Sequence, residues 1–285
     1  MTIIIQPVPA TRTGRGESTR SGPIRLEAQA ADARVESGSG IATGVALRWG
    51  AVSRRGAARA GNQDSYLALP PVFAVADGMG GHAAGDVASR CVVDALCALA
   101  ERNVVTEATF GACLAEARAA IARIRFDSGA PPGSTLSGAF VTRDRDGRPC
   151  WMVVNIGDSR TYRWDGRRLV QLTVDHTVAQ ELVEYGALAA SATRSSPFGH
   201  MLTRTVLADV EHQPDIGFFP LAARDRVLVC SDGLTGQLDH ATIAHVLGSA
   251  TDPAQAATDV VDRVADAAGQ DDTTALVVDA CALRA

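Results

Sequence analysis

The chain has 285 residues, 46% hydrophobic and 21% charged, which is enough apolar material for a substantial core under an ordinary water-facing surface. A net charge of −5 excludes the basic face that nucleic-acid binding needs, and no apolar run approaches the roughly 20 residues that cross a bilayer. The six cysteines form no CxxC pair and read as reduced thiols, and the first residues lack a signal-peptide pattern, so the expected location is the cytoplasm. All 27 basic residues are arginine, which fits a GC-rich coding bias.

Residues 1 to about 40 are rich in Thr, Arg, Gly, Ser and Ala and poor in large apolar groups, and the composition predicts a disordered leader. Order is expected from about 41, with a strand at 45–52, a polar loop carrying Arg59 and Asp64, and a strand at 66–69. Residues 72–76 read as a buried strand that delivers Asp77 into Gly78-Met79-Gly80-Gly81-His82. Glycine at 78 leaves a bare backbone carbonyl beside a carboxylate, two hard oxygen donors suited to Mg²⁺ or Mn²⁺.

Apolar residues at helical spacing predict one helix from 84 to 100 and a second through Phe110, Cys113, Leu114, Ala117, Ile121 and Ile124. Strands follow at 134–141 and 151–156, joined by a hairpin turn at 144–148. Gly157-Asp158-Ser159-Arg160 interrupts the sheet before a hairpin around Asp165-Gly166. A short helix at 178–185 ends at Gly186, and the Ala- and Ser-rich stretch up to about Gly199 lacks any period; together, residues 177–200 read as a flap. A strand at 226–230 ends in Ser231-Asp232-Gly233, helices are expected at 240–248 and 253–268, and Asp271-Asp272-Thr273-Thr274 feeds a last strand at 275–278.

Asp64, Asp77, Asp158, Asp232 and Asp271 each stand at the end of an apolar strand, in a turn of small or polar residues. Carboxylates brought together repel one another unless a cation neutralises them, so convergence of these ends calls for divalent metal. Two such ions can activate water and clamp the oxygens of a phosphoryl group.

The motifs Arg59-Ala60-Gly61-Asn62-Gln63-Asp64, Asp77-Gly78-Met79-Gly80-Gly81-His82, Gly133-Ser134-Thr135, Asn155-Ile156-Gly157-Asp158-Ser159-Arg160, Leu202-Thr203-Arg204, Ser231-Asp232-Gly233 and Asp271-Asp272-Thr273-Thr274 occur in the order found in the protein phosphatase 2C family. On these stretches the chain resembles the bacterial form of those metal-dependent Ser/Thr phosphatases from about 45 to 280. The resemblance implies an α+β fold, a four-layer αββα sandwich of two antiparallel sheets flanked by paired helices, with metals at one edge of a domain spanning 41–282. It implies that Asp77 bridges two ions, the Gly78 carbonyl binds the second, Asp232 and Asp271 complete the first, and Asp158 with Asp232 holds a weaker third. Asp64 would orient water and Arg59 would hold the substrate phosphate. The implied activity is hydrolysis of phosphoserine and phosphothreonine by a metal-bridged hydroxide in a monomer. It would act on phosphorylated proteins, opposing a Ser/Thr kinase and its targets.

Three positions depart from the family pattern: Gln63 in place of the usual Glu, Asp272 in place of Asn, and Met79 where eukaryotic members carry a His. Gln63 and Asp272 keep a second expectation open, a phosphoprotein-binding module with little turnover. A third is a phosphatase of anti-sigma antagonists. His82 and His176 are read as loop-orienting imidazoles, and Asp144 and Asp146 as hairpin-turn residues.

Overall fold

The computed structural model describes residues 33–80, 84–102, 104–126 and 130–281. Among the described residues, thirteen strands form two antiparallel sheets. The first is ordered β1 (Ala33–Ala42), β2 (Val45–Arg54), β13 (Thr273–Cys281), β12 (Arg226–Cys230), β8 (Arg160–Trp164) and β9 (Leu169–Gln171). The second is ordered β10 (Val206–Leu207), β5 (Gly133–Ser134), β4 (Val72–Met79), β6 (Leu136–Arg143), β7 (Pro149–Ile156) and β11 (Asp215–Pro220), with β3 (Asp64–Leu69) also paired to β4. Helices α1 (Ala84–Ala100) and α2 (Glu107–Ile121) pack together beside the second sheet. Helices α5 (His240–Ser249) and α6 (Pro253–Asp266) pack together beside the first. Between α3 (Val178–Glu184) and β10 the flap carries one 3₁₀ helix, Ala190–Ser195, and a four-residue α4 (Asp232–Thr235) follows β12. This is the expected αββα sandwich.

The strands alternate because each buries one face in the seam between the sheets and the other under helices. Leu47, Trp49, Phe73, Val75, Ala139, Trp151, Val229, Leu276 and Val278 fill the seam, and Trp49 meets Phe73 with ring centroids 5.6 Å apart. Leu228, Val277, Val246, Leu247, Val260 and Val261 form the layer under α5 and α6. Thr106 caps α2 by accepting from the Thr109 N–H, and Asp252 caps α6 by accepting from Gln255 N–H, just ahead of Pro253.

At one end of the seam the sheets meet through polar side chains instead. The Thr135 and Ser159 hydroxyls lie 2.7 Å apart and those of Ser137 and Thr161 lie 2.9 Å apart. The Ser231 and Thr274 hydroxyls, from the first sheet's edge, both donate to Asp64 Oδ2 at 2.7 Å.

Two expectations change. The stretch 33–40 is not part of a leader: it is most of β1, a ten-residue strand paired along its length with β2. Gly38 and Gly40 there are a socket, since a Cβ on Gly38 would lie 2.4 Å from the Trp49 ring opposite it. Residues 1–32, to which the rest of the leader expectation applies, lie outside the described residues. The second helix ends at Ile121 rather than at Ile124, and strands β10 and β11 occupy chain that carried no expectation.

Candidate metal centre

The predicted site residues arrive at the polar end of the sandwich from both sheets. Asp64 and Asp77 are register partners at the ends of β3 and β4. Asp158 follows β7, Asp232 follows β12, and Asp271 precedes β13. A cavity of about 490 Å³ is lined by Arg59, Gln63, Asp77, Gly78, Met79, Asp158, His200, Asp232 and Asp271 among others. Asp64 stands behind it.

Local contacts hold these ends in place. The Asp77 N–H donates to Thr135 Oγ1 at 2.9 Å, while its carbonyl accepts from Thr135 N–H at 2.8 Å. Position 78 must be glycine, because a Cβ there would sit 2.0 Å from the Gly85 carbonyl oxygen at the start of α1. The Asp158 loop is tied by Asn155, whose side-chain N–H donates to the Gly157 and Val174 carbonyls. His176 Nδ1 accepts from the Gly157 N–H at 3.1 Å, which leaves Nε2 to donate to Asp215 at 3.1 Å. His176 is therefore the loop-orienting imidazole the sequence suggested; His82 lies outside the described residues. Arg160 forks onto Asp175 with contacts of 2.9 and 2.6 Å and fixes the chain beside it.

The carboxylates are far from their ordinary ionisation. Burial, opposed by the Ser231 and Thr274 hydrogen bonds and reinforced by Asp272 and Asp232, pushes Asp64 up to about 7. Burial and then the charge of Asp232 push Asp158 up to about 8. Burial and the neighbouring Asp64, Asp232, Asp158 and Asp271 hold Asp77 well above the carboxylate range. Asp232 moves the other way: burial opposes its charge, but hydrogen bonds from His200 and Asp77 outweigh that and lower it. Asp77 and Asp232 are therefore pushed in opposite directions at one cavity, the response of crowded carboxylates to one another's charge.

The residues fit a hard divalent cation. Asp64 Oδ1 and Asp232 Oδ1 are buried without a hydrogen-bond partner, and one donor atom each from Asp158, His200 and Asp232 lies within 4.8 Å of the others. Buried lone pairs left open are costly, and the donor set is mostly oxygen. Arg59 reaches the same cavity and is paired with Asp271 at 2.5 Å.

One of the departures resolves structurally. Both oxygens of Asp272 are taken by backbone donors, Gly56 N–H at 2.9 Å and Gln63 N–H at 2.8 Å, so its carboxylate clamps the Arg59 loop to the end of β13. The Gln63 carbonyl accepts from Ser89 Oγ on α1 at 2.6 Å. His200 is the residue that sequence reasoning missed. Its only signal was a histidine standing two positions before the Leu202-Thr203-Arg204 match.

A family model described as protein phosphatase 2C matches residues 58–272. The serine/threonine protein phosphatase PstP of Mycobacterium tuberculosis is 34% identical over 239 residues, 82% of this chain and 45% of that protein, so the chain spans about half the length of this relative. The crystal structure of the M. tuberculosis PstP/Ppp phosphatase superposes with a TM-score of 0.76 at 33% identity, covering 84% of this chain and all of the other. A structure of the PstP catalytic domain with two manganese ions matches with a TM-score of 0.74 at 32% identity, covering 84% of this chain and 99% of the other.

Proposed function

The chain belongs to the protein phosphatase 2C family, and from that premise we propose that it hydrolyses phosphoserine and phosphothreonine in proteins, using Mn²⁺ or Mg²⁺. The proposed ligands are Asp77, the Gly78 carbonyl, Asp158, Asp232 and Asp271. The observation that carries the reading is the meeting of these carboxylates in one cavity, with orphaned buried oxygens where positive charge is wanted.

Cations held there would supply the charge that makes water a nucleophile at neutral pH and would draw in the phosphoryl oxygens. The chain's own residues then have distinct tasks. Arg59 exchanges its Asp271 partner for two phosphate oxygens, a fork-to-fork match that a point charge cannot reproduce. Asp64, held at Oδ2 by the Ser231 and Thr274 hydroxyls, keeps Oδ1 as the acceptor that orients a water. Met79 has no proton to give, so the leaving alkoxide takes its proton from solvent or from a group other than the one eukaryotic members use. Asp272 supports catalysis rather than a mere binding module, because its charge is spent on two backbone N–H groups instead of distorting the ligand set. The partners of this activity are phosphorylated proteins and the Ser/Thr kinase that modifies them, in the cytoplasm.

The test is phosphate release from a phosphothreonine peptide with Mn²⁺, with Mg²⁺, and with excess EDTA. Turnover restored by metal and reduced at least about a hundredfold by Asp232→Asn is expected, a loss of roughly 2.7 kcal/mol in transition-state stabilisation. Folded protein that binds the phosphopeptide but shows no turnover with either metal would replace this reading with the binding module.

A further inference from the structure

His200 ends the flap and belongs to no motif of the metal centre, yet it lines two cavities at once. The cavity described above and a second, about 460 Å³, that runs beneath the flap along Thr177, Gln180 and Arg194 meet at Asp158, His200 and Asp232. His200 Nδ1 lies 3.3 Å from Asp232 Oδ2. Its side chain is 71% exposed, so no packing holds the ring there; the contact with the carboxylate does. Asp158 is buried beneath it, and Asp232 still has Oδ1 buried and unpartnered.

Donors around one first-row ion sit about 2.1 Å from it and hence roughly 3–4 Å from each other. The three donor atoms here are already within 4.8 Å of one another, and one of them is carried by a flexible, exposed side chain that can close the remaining distance. Resting on the metal-dependent reading given above, we propose that His200 is a nitrogen ligand of the cation held between Asp158 and Asp232, and that this cation fastens the flap to the metal centre.

Two consequences follow from the chemistry. An imidazole beside two carboxylates favours Mn²⁺ over Mg²⁺ at this position, since Mg²⁺ takes oxygen donors and gives up water reluctantly. Fastening His200 also fastens the segment before it. The Val178 and Ala179 N–H groups donate to the Met201 and Phe198 carbonyls, and Arg194 donates to the Gly236 carbonyl at 2.7 Å. The flap is thus anchored at its base by backbone and at its tip by a single guanidinium, and a metal–imidazole bond adds a third point at the junction of the two cavities.

The experiment uses the full chain, stripped with EDTA and loaded with Mn²⁺ alone. Pulsed EPR of bound Mn²⁺ is expected to show coupling to a directly bound ¹⁴N that disappears in His200→Ala and persists in His245→Ala, a histidine on the exposed side of α5. In parallel, Mn²⁺ is expected to slow tryptic cleavage after Arg194 about tenfold in the parent chain, and less than twofold in His200→Ala, with Mg²⁺ protecting less than Mn²⁺. Bound Mn²⁺ without nitrogen coupling, coupling that survives in His200→Ala, or equal protection of both proteins overturns the His200 assignment while leaving the metal centre standing. Failure of the parent chain to bind Mn²⁺ removes the metal-dependent reading itself.

Discussion

Asp158 is buried, and Asp64 and Asp77 half-buried, in one another's company, and this sets the sign of the pH response. In the metal-free protein Asp64 and Asp158 titrate near 7 and 8, against 3.8 for an unburied aspartate. Between those values the folded state holds protons that the unfolded chain has released, so their contribution to stability falls as pH rises from about 4 towards 8. A divalent cation removes the repulsion and favours the ionised forms, so its stabilising effect is largest where the metal-free protein suffers most. The rise in melting temperature on adding Mn²⁺ is therefore expected to grow steadily from pH 5 to pH 8. A rise that is flat or shrinks over that range would mean that these carboxylates do not face the ion. The sequence picked out these residues because each ends an apolar strand. It could not show that Asp77 and Asp232 line one cavity, since 155 positions separate them and only the folded sheets bring them together. His200 was illegible for a similar reason: an exposed histidine in an Ala- and Ser-rich segment carries no periodic signal.

At the scale of single elements, the glycine that follows Asp77 couples the metal centre to α1. A methyl group at 78 would lie 2.0 Å from the Gly85 carbonyl oxygen and 2.8 Å from that of Gln63, both backbone atoms that cannot swing aside. Gly78→Ala is expected to cost about 2–4 kcal/mol, measured by urea unfolding, and to weaken Mn²⁺ binding because α1 and the β3 end must both shift. Gly61→Ala, two residues after Arg59 and with nothing within 4 Å of its Cβ, serves as the neutral comparison. Equal stability of the two variants would show that α1 is not packed on the site. Elements with strong patterns were legible from the chain alone: α1 from its apolar stripe, β4 from its unbroken apolar run, the 144–148 turn from its Asp and Gly. β1 was not, because Ser-Gly-Ser-Gly has the composition of a linker. Its order comes from β2, whose Trp49 needs the bare backbone of Gly38 opposite it. Here tertiary packing overrides local propensity.

Considered whole, the molecule draws its candidate site carboxylates from two sheets that the chain itself joins at the site, through the turn that carries Asp158. Asp64 and Asp77 come from one, Asp232 and Asp271 border the other, and Asp158 lies on the crossing from β7 to β8. Which strand enters which sheet was not readable in advance, since alternating apolar strands look alike whichever partner they take. The seam between the sheets is also unequal along its length. Towards the site it is closed by hydroxyl pairs, Thr135 with Ser159 and Ser137 with Thr161, each worth about 1 kcal/mol. Towards the other end it is closed by Trp49, Phe73, Trp151 and Val278, which lose far more on exposure to water. The sandwich therefore behaves as a book with a spine: apolar residues bind the back, and the metal end is where the covers part. Without metal, backbone amides at Ser137, Thr161 and Thr274 are expected to exchange hydrogen with solvent at least about tenfold faster than those at Val141, Val227 and Val278. Mn²⁺, by clasping both covers, should narrow that gap, and a uniform exchange profile unaffected by metal would contradict it. The same lone pairs that await a cation would make the loading of the ion and the closing of the fold a single event at that edge.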